Sequence, residues 1–188
     1  MRRAHHASST TRCAWRAGGL YANRFTLNNW YLIGPFEGRS AQSLQTVYPP
    51  EMLVDLDAVY FGKEQRVLKW EYLHDTSYPL VPPLRDQNAV YYGYAEVYME
   101  QERDLWVAIG GDDDSKLWFN QKLIWTSGNE DKPWYHTHVR NLHSSIAQLN
   151  LTEGQRKLHF NKGRNTFLFK LYNGIDVMFF SLALFAGA

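Results

Sequence analysis

The chain has one cysteine, Cys13, which excludes an intramolecular disulfide and any zinc site built on paired thiolates. It has no long apolar run. The best candidate, residues 177 to 188, falls well short of the roughly 18 residues that a membrane helix needs. An excess of one charge is also missing: 20 Lys and Arg stand against 19 Asp and Glu, a formal net charge of +1. A surface so balanced lacks the field that binds a phosphate backbone, so nucleic acid is not an expected partner. Catalytic signatures are scarce. There is no Gly-x-Ser-x-Gly elbow, no phosphate-binding glycine loop and no His-Glu-x-x-His. The acids Glu37, Asp55, Asp57, Glu71, Asp75 and Glu96 are scattered, and nothing in their spacing sets two of them at a glycosidase separation. No period of 20 to 50 residues repeats, which argues against a solenoid or propeller.

What the chain has in abundance is aromatic residues: 7 Trp, 12 Tyr and 10 Phe make 15% of its 188 residues. These favour strands, and they often line sugar or protein contact surfaces. The length suits one domain with a single core. Residues 1 to 20 carry arginines, histidines and serines without an apolar centre, so they read as a disordered leader and not as a signal peptide. Residues 21 to 188 are expected to form a single β-sandwich domain. From residue 26 onward, short apolar or alternating runs are separated by Gly, Pro, Asn and Asp. A first strand over residues 29 to 33 is expected to stop at Gly34-Pro35. A helical turn fits within residues 51 to 60, and one strand fits residues 66 to 73. Further strands are predicted over residues 89 to 99, 104 to 109, 116 to 120, 122 to 125, 135 to 139, 146 to 151, 157 to 160, 166 to 172 and 177 to 185. In the strand from 89 to 99, alternation sets Tyr91, Gly93, Ala95, Val97 and Met99 on one face and Tyr92, Tyr94, Glu96 and Tyr98 on the other.

Three stretches resemble a jelly-roll accessory domain of the PA14-like kind, found beside bacterial glycoside hydrolases and other extracellular enzymes. The first runs from Trp30-Tyr31-Leu32-Ile33-Gly34-Pro35-Phe36 through Tyr48-Pro49-Pro50-Glu51 and Tyr60-Phe61-Gly62-Lys63 to Trp70. The second, Gly111-Asp112-Asp113-Asp114-Ser115-Lys116-Leu117-Trp118-Phe119-Asn120-Gln121-Lys122, is similar to an Asp-Asp loop followed by a strand, an Asn-Gly turn and a lysine. The third extends from Leu158 to Lys170 and on to Tyr172-Asn173-Gly174, like the family's closing hairpin. Two positions depart from the pattern. Asp114 stands where glycine is common, and Gln121 replaces the turn glycine, so a type I′ turn would force a side chain into positive φ and a different hairpin loop is expected. The resemblance implies an all-β, antiparallel sandwich acting outside the cell or in the periplasm, in company with other domains of a parent enzyme.

Candidate sites follow from residue chemistry. Asp112, Asp113 and Asp114 repel one another unless a cation or hydrogen-bond donors compensate. Calcium, a hard ion taking six to eight oxygens, is the cation such a loop would hold. In the calcium-dependent sugar-binding branch of the resembled family, adjacent aspartates like Asp112 and Asp113 hold that ion. The competing reading is an Asx-rich turn at a strand start. Trp125, Trp134 and Tyr135 bracket a polar loop containing Asn129, Glu130 and Asp131. Such rings stack on sugar C–H faces while the polar residues meet hydroxyls; the alternative is that they pack the core or its rim. Trp30, Trp70 and Trp118 lie within strand patterns and read as structural. His136 and His138 share a strand face without an evident third metal ligand, and Asn150-Leu151-Thr152 is a glycosylation sequon. The expected function is a non-catalytic carbohydrate-binding or accessory module that takes a polysaccharide or oligosaccharide. A structural spacer or interaction sandwich is the alternative, and a small polysaccharide-active enzyme with a carboxylate pair is the third reading.

Overall fold

The computed structural model describes residues 11–12, 24–74, 80–127, 154–175 and 178–186. Their strands build two antiparallel sheets packed face to face, so the chain is an all-β sandwich. The larger sheet runs in the order β10 (Lys122–Thr126), β9 (Asp114–Phe119), β12 (Gly163–Asn173), β7 (Ala89–Met99), β3 (Asn29–Glu37) and β6 (Glu71–His74). A short β1 (Thr11–Arg12) adds to β7 in parallel, opposite Val97 and Tyr98. The second sheet is β11 (Gly154–Phe160), β8 (Arg103–Asp112), β13 (Phe179–Phe185) and β2 (Arg24–Thr26). A separate hairpin joins β4 (Val59–Phe61) to β5 (Val67–Lys69). The predicted strands over residues 135 to 139 and 146 to 151 lie outside the described residues.

The alternation in β7 divides its side chains as expected. Tyr91, Ala95, Val97 and Met99 enter the core between the sheets with Trp30, Phe167, Phe169, Phe180 and Leu182. Val90, Tyr92 and Tyr94 enter a second apolar cluster on the outer face of the larger sheet, beneath residues 41 to 70. Gly93 permits the close approach of Trp30, whose Cε3 lies 3.1 Å from where a Cβ would stand.

Three local expectations are corrected. The strand predicted to stop at Gly34-Pro35 continues to Glu37, with a register shift between Ile33 and Phe36. Proline is tolerated there because an irregularity in pairing spares the missing N–H, and Gly34 takes φ +147°, where a Cβ would collide with the Tyr91 ring. The single strand expected over residues 66 to 73 is two, β5 and β6, separated at the buried Trp70. The hairpin between β9 and β10 is the tight two-residue turn after all. Asn120 and Gln121 sit at φ +47° and +67°, and Lys122 pairs with Phe119. Asn120 is held there, its Nδ2 donating to Asn165 Oδ1 at 3.0 Å and its Oδ1 accepting from the Thr166 amide at 2.8 Å. Gln121 therefore bears the left-handed strain. Gln121→Gly is expected to stabilise the fold by up to about 1 kcal/mol, read as a rise of roughly 2 to 4 °C in a thermal melt. An unchanged or lower midpoint would show the strain to be relieved otherwise.

Candidate functional site

The acidic turn is the point at which the chain crosses from one sheet to the other. Asp112, the last residue of β8, pairs with Phe179 in the second sheet, while Asp114, the first of β9, pairs with Tyr172 in the larger one. Asp113 alone spans the crossing, and the peptide joining it to Asp112 is cis. Its amide donates to the Tyr172 carbonyl at 3.1 Å, and its Oδ2 accepts from the Gly174 amide at 2.6 Å. Gly174 leaves room for that carboxylate, since a Cβ there would stand 2.9 Å from Oδ2. The three aspartates are thus separated by role. Asp112 and Asp114 are 3% and 7% exposed, and Asp114 shares the outer face of β9 with Lys116 and Trp118 by alternation.

The neighbouring strand end completes this region. Asn173, the last residue of β12, is fully buried; its Nδ2 donates to the Asp86 carbonyl at 2.8 Å, and its Oδ1 has no hydrogen-bond partner. An acceptor buried in this way costs about 1 to 3 kcal/mol unless a cation or water satisfies it. The loop beneath is firmly held. Arg66 grips the Asp86 carboxylate with its two terminal guanidinium nitrogens, Lys63 Nζ donates to the Gln87 carbonyl at 2.6 Å, and the Asp86 amide donates to Tyr91 Oη at 2.7 Å. The Arg66 hydrogen bond holds the Asp86 carboxyl below its usual range against the opposing effect of burial. Tyr172, whose hydroxyl donates to Asn88 Oδ1 at 3.3 Å, is pushed up first by burial and then by the negative charge of Asp113 and Asp114.

Every donor at this end is a hard oxygen, from carboxylate, amide or backbone, which is the chemistry calcium takes. Among the described residues no three His, Cys, Asp or Glu side chains gather as a metal would require. Hydrogen bonds at the crossing join Asp113 to Tyr172 and Gly174, the two chain neighbours of Asn173. In the sequence Asn173 stands out only as part of the Tyr172-Asn173-Gly174 stretch of the resembled closing hairpin, and not as a candidate site residue. The pointer available was an amide closing the run Phe167-Leu168-Phe169-Lys170-Leu171-Tyr172, which is apolar but for its lysine.

Trp125 is the described member of the aromatic loop expected to meet sugar. It is half-buried on β10 and packs against the core between the sheets. Its Nε1 donates to Ser115 Oγ at 3.2 Å, the Arg156 guanidinium lies 4.9 Å from the ring centroid, and a Cβ on Gly154 would meet its Cζ3 at 2.5 Å. One ring face is thus taken by a cation and one edge by backbone. Asn129, Glu130, Asp131, Trp134, Tyr135, His136 and His138 lie outside the described residues, as do Asp75 and the sequon at Asn150. Trp30 is wholly buried and Trp70 nearly so, whereas Trp118 is half-buried on the outer face of the larger sheet.

No family model matches the chain, and no curated protein does. Among solved structures, the chain is similar to a β-glucosidase from Kluyveromyces marxianus in complex with glucose, at 12% identity and a TM-score of 0.43, over 84% of this chain and 16% of that one.

Proposed function

We propose that this chain is a non-catalytic carbohydrate-binding or accessory module of PA14-like character, working beside other domains of a secreted, polysaccharide-active protein outside the cell or in the periplasm. The observation that supports it most is the acidic crossing, where Asp113 is hydrogen-bonded to both chain neighbours of Asn173, a buried residue whose amide oxygen has no hydrogen-bond partner. Asp112 and Asp113 with Asn173 would hold calcium, and a bound calcium ion supplies open coordination positions for vicinal sugar hydroxyls. The protein's own part is positioning. Gly174 fixes the Asp113 carboxylate, while Arg66 and Lys63 hold the loop that fixes Asn173. A second reading, docking to a neighbouring domain, is favoured by the outer face of the β4–β5 hairpin, where Val59, Phe61 and Val67 are all more than half exposed.

Calorimetric titration of the whole chain with calcium, followed by a glycan screen with and without chelator, tests the proposal. Binding to the native state alone raises stability by RT ln(1 + [L]/Kd), about 2.7 kcal/mol at a hundredfold excess. At roughly 2 to 4 °C per kcal/mol this is a rise of 5 to 10 °C. The double change Asp112→Asn and Asp113→Asn is expected to abolish that response and leave a folded, calcium-indifferent protein. The absence of both heat and thermal shift at millimolar calcium would rule out the metal site. Silence across the glycan screen would favour the docking reading, and turnover of any glycan would show an enzyme.

A further inference from the structure

The larger sheet carries a second feature, remote from the acidic crossing in register. Cross-strand pairing sets one row of outer-face residues across six strands. Leu123 stands opposite Trp118, Trp118 opposite Leu168, Leu168 opposite Tyr94, Tyr94 opposite Tyr31 and Tyr31 opposite Tyr72. Four of these six are aromatic, and the Tyr31 and Tyr72 rings lie 5.3 Å apart. Residues 50 to 54 stand over one side of this row as a wall, in which Met52 and Leu53 are 82% and 69% exposed. Between wall and sheet lies a groove of about 640 Å³ whose lining includes Trp118, Tyr94, Leu168, Thr166, Gln121 and Arg164.

The charges in this groove are already balanced. Arg164 Nε donates to Glu96 Oε1 at 2.8 Å and its Nη2 to the Tyr94 hydroxyl at 2.7 Å, and that hydroxyl donates in turn to Glu96 at 2.8 Å. Burial, reinforced by Glu96, pushes Tyr94 up to about 12, so its hydroxyl stays protonated. Glu51, on the wall, accepts from Lys170 at 2.7 Å. An ionic ligand finds no unmatched charge to meet. What the groove offers is the half-buried Trp118 ring, over a floor in which Tyr94 is only 5% exposed, beside a carboxamide, a hydroxyl and a guanidinium, and this suits a ligand with an apolar face and a hydroxylated edge. Adjacent strands are about 4.8 Å apart, which separates Trp118 from Tyr94 by roughly 10 Å, more than one sugar ring spans.

We infer that a neutral oligosaccharide chain binds along this groove, stacking on Trp118 while its hydroxyls meet Gln121, Thr166 and Arg164. The inference rests on the carbohydrate-binding reading above but uses a different part of the molecule and needs no calcium. It is tested with the whole chain by titration against soluble neutral polysaccharides (a β-glucan, a xylan, a galactomannan and amylose) in excess chelator. At least one is expected to bind, and Trp118→Ala is expected to weaken it about tenfold or more while Trp118→Tyr retains most of the affinity. Leu53→Asp, a change on the exposed wall that spares the core, is expected to weaken binding as well, and it serves if Trp118→Ala does not fold. Binding that survives both Trp118→Ala and Leu53→Asp, or that vanishes in chelator, would overturn the groove and leave the module reading intact. Failure of every glycan with calcium present would overturn both. A concentration-dependent dimer abolished by Leu53→Asp would assign the groove to a second copy of the chain, and the inference would fall.

Discussion

Lys170→Met is expected to destabilise the protein by roughly 3 to 5 kcal/mol, the cost of breaking a buried ion pair by removing one partner. Lys170 is 0% exposed in the middle of β12. Its Nζ donates to the Leu44 carbonyl at 2.8 Å, the Thr46 carbonyl at 2.6 Å and Glu51 Oε1 at 2.7 Å, so all three ammonium protons are used. The rings of Tyr48 and Tyr92 flank it at 5.2 and 5.6 Å, and the Tyr92 hydroxyl also donates to Glu51. Burial lowers the affinity of Lys170 for its proton and Glu51 opposes that fall. A methionine fills the space but leaves two carbonyls without their donor and a largely buried carboxylate without its cation, held by the Tyr92 hydroxyl. At roughly 2 to 4 °C per kcal/mol, the melting temperature should fall by about 10 °C. The double variant Lys170→Met with Glu51→Leu should recover much of the loss, because it removes the stranded charge. A fall of less than about 2 °C in the single variant would show that the pair does not hold residues 41 to 54 on the sheet.

The tryptophans should separate sharply by stability. Trp30→Ala is expected to cost roughly 3 to 5 kcal/mol. Its indole is 0% exposed, donates to the Leu27 carbonyl at 2.7 Å and meets Phe180 and Phe169 edge-on, with centroids at 5.1 and 6.4 Å. Truncation opens a cavity between the sheets where Gly93 has no side chain to fill it. Trp118→Ala removes a half-buried ring from the outer face and should cost less than half as much. Urea unfolding midpoints of the two variants, compared with the parent chain, decide the matter. Equal losses would mark Trp118 as a packing residue and weaken the case for a ligand platform on that face.

The all-β class, the longer strands of the two sheets and the division of β7 into two faces were legible in the sequence, whereas the short β1, β2 and β4 were not expected and β5 and β6 were read as one strand. The legible features depend on period-two alternation and on turn residues, which act within a few positions of themselves. Asp112 to Asp114 stood out for the same local reason, three carboxylates in succession. The sequence could not show that Asp113 lies where the chain changes sheet, or that Asn173 ends beside it with an unpaired oxygen, because those placements depend on β8, β12 and β13 meeting across sixty residues. Nor could it rank the tryptophans, since Trp30 and Trp118 both sit in alternating runs. Burial of one and half-exposure of the other follow from which face the second sheet covers. The outer face of the larger sheet would be expected to meet water, which is where a strand lysine belongs. Tertiary structure instead lays residues 41 to 54 over it, buries Lys170 against Glu51 and stops short of Trp118, so one contact between distant segments creates both the charged core and the open groove beside it.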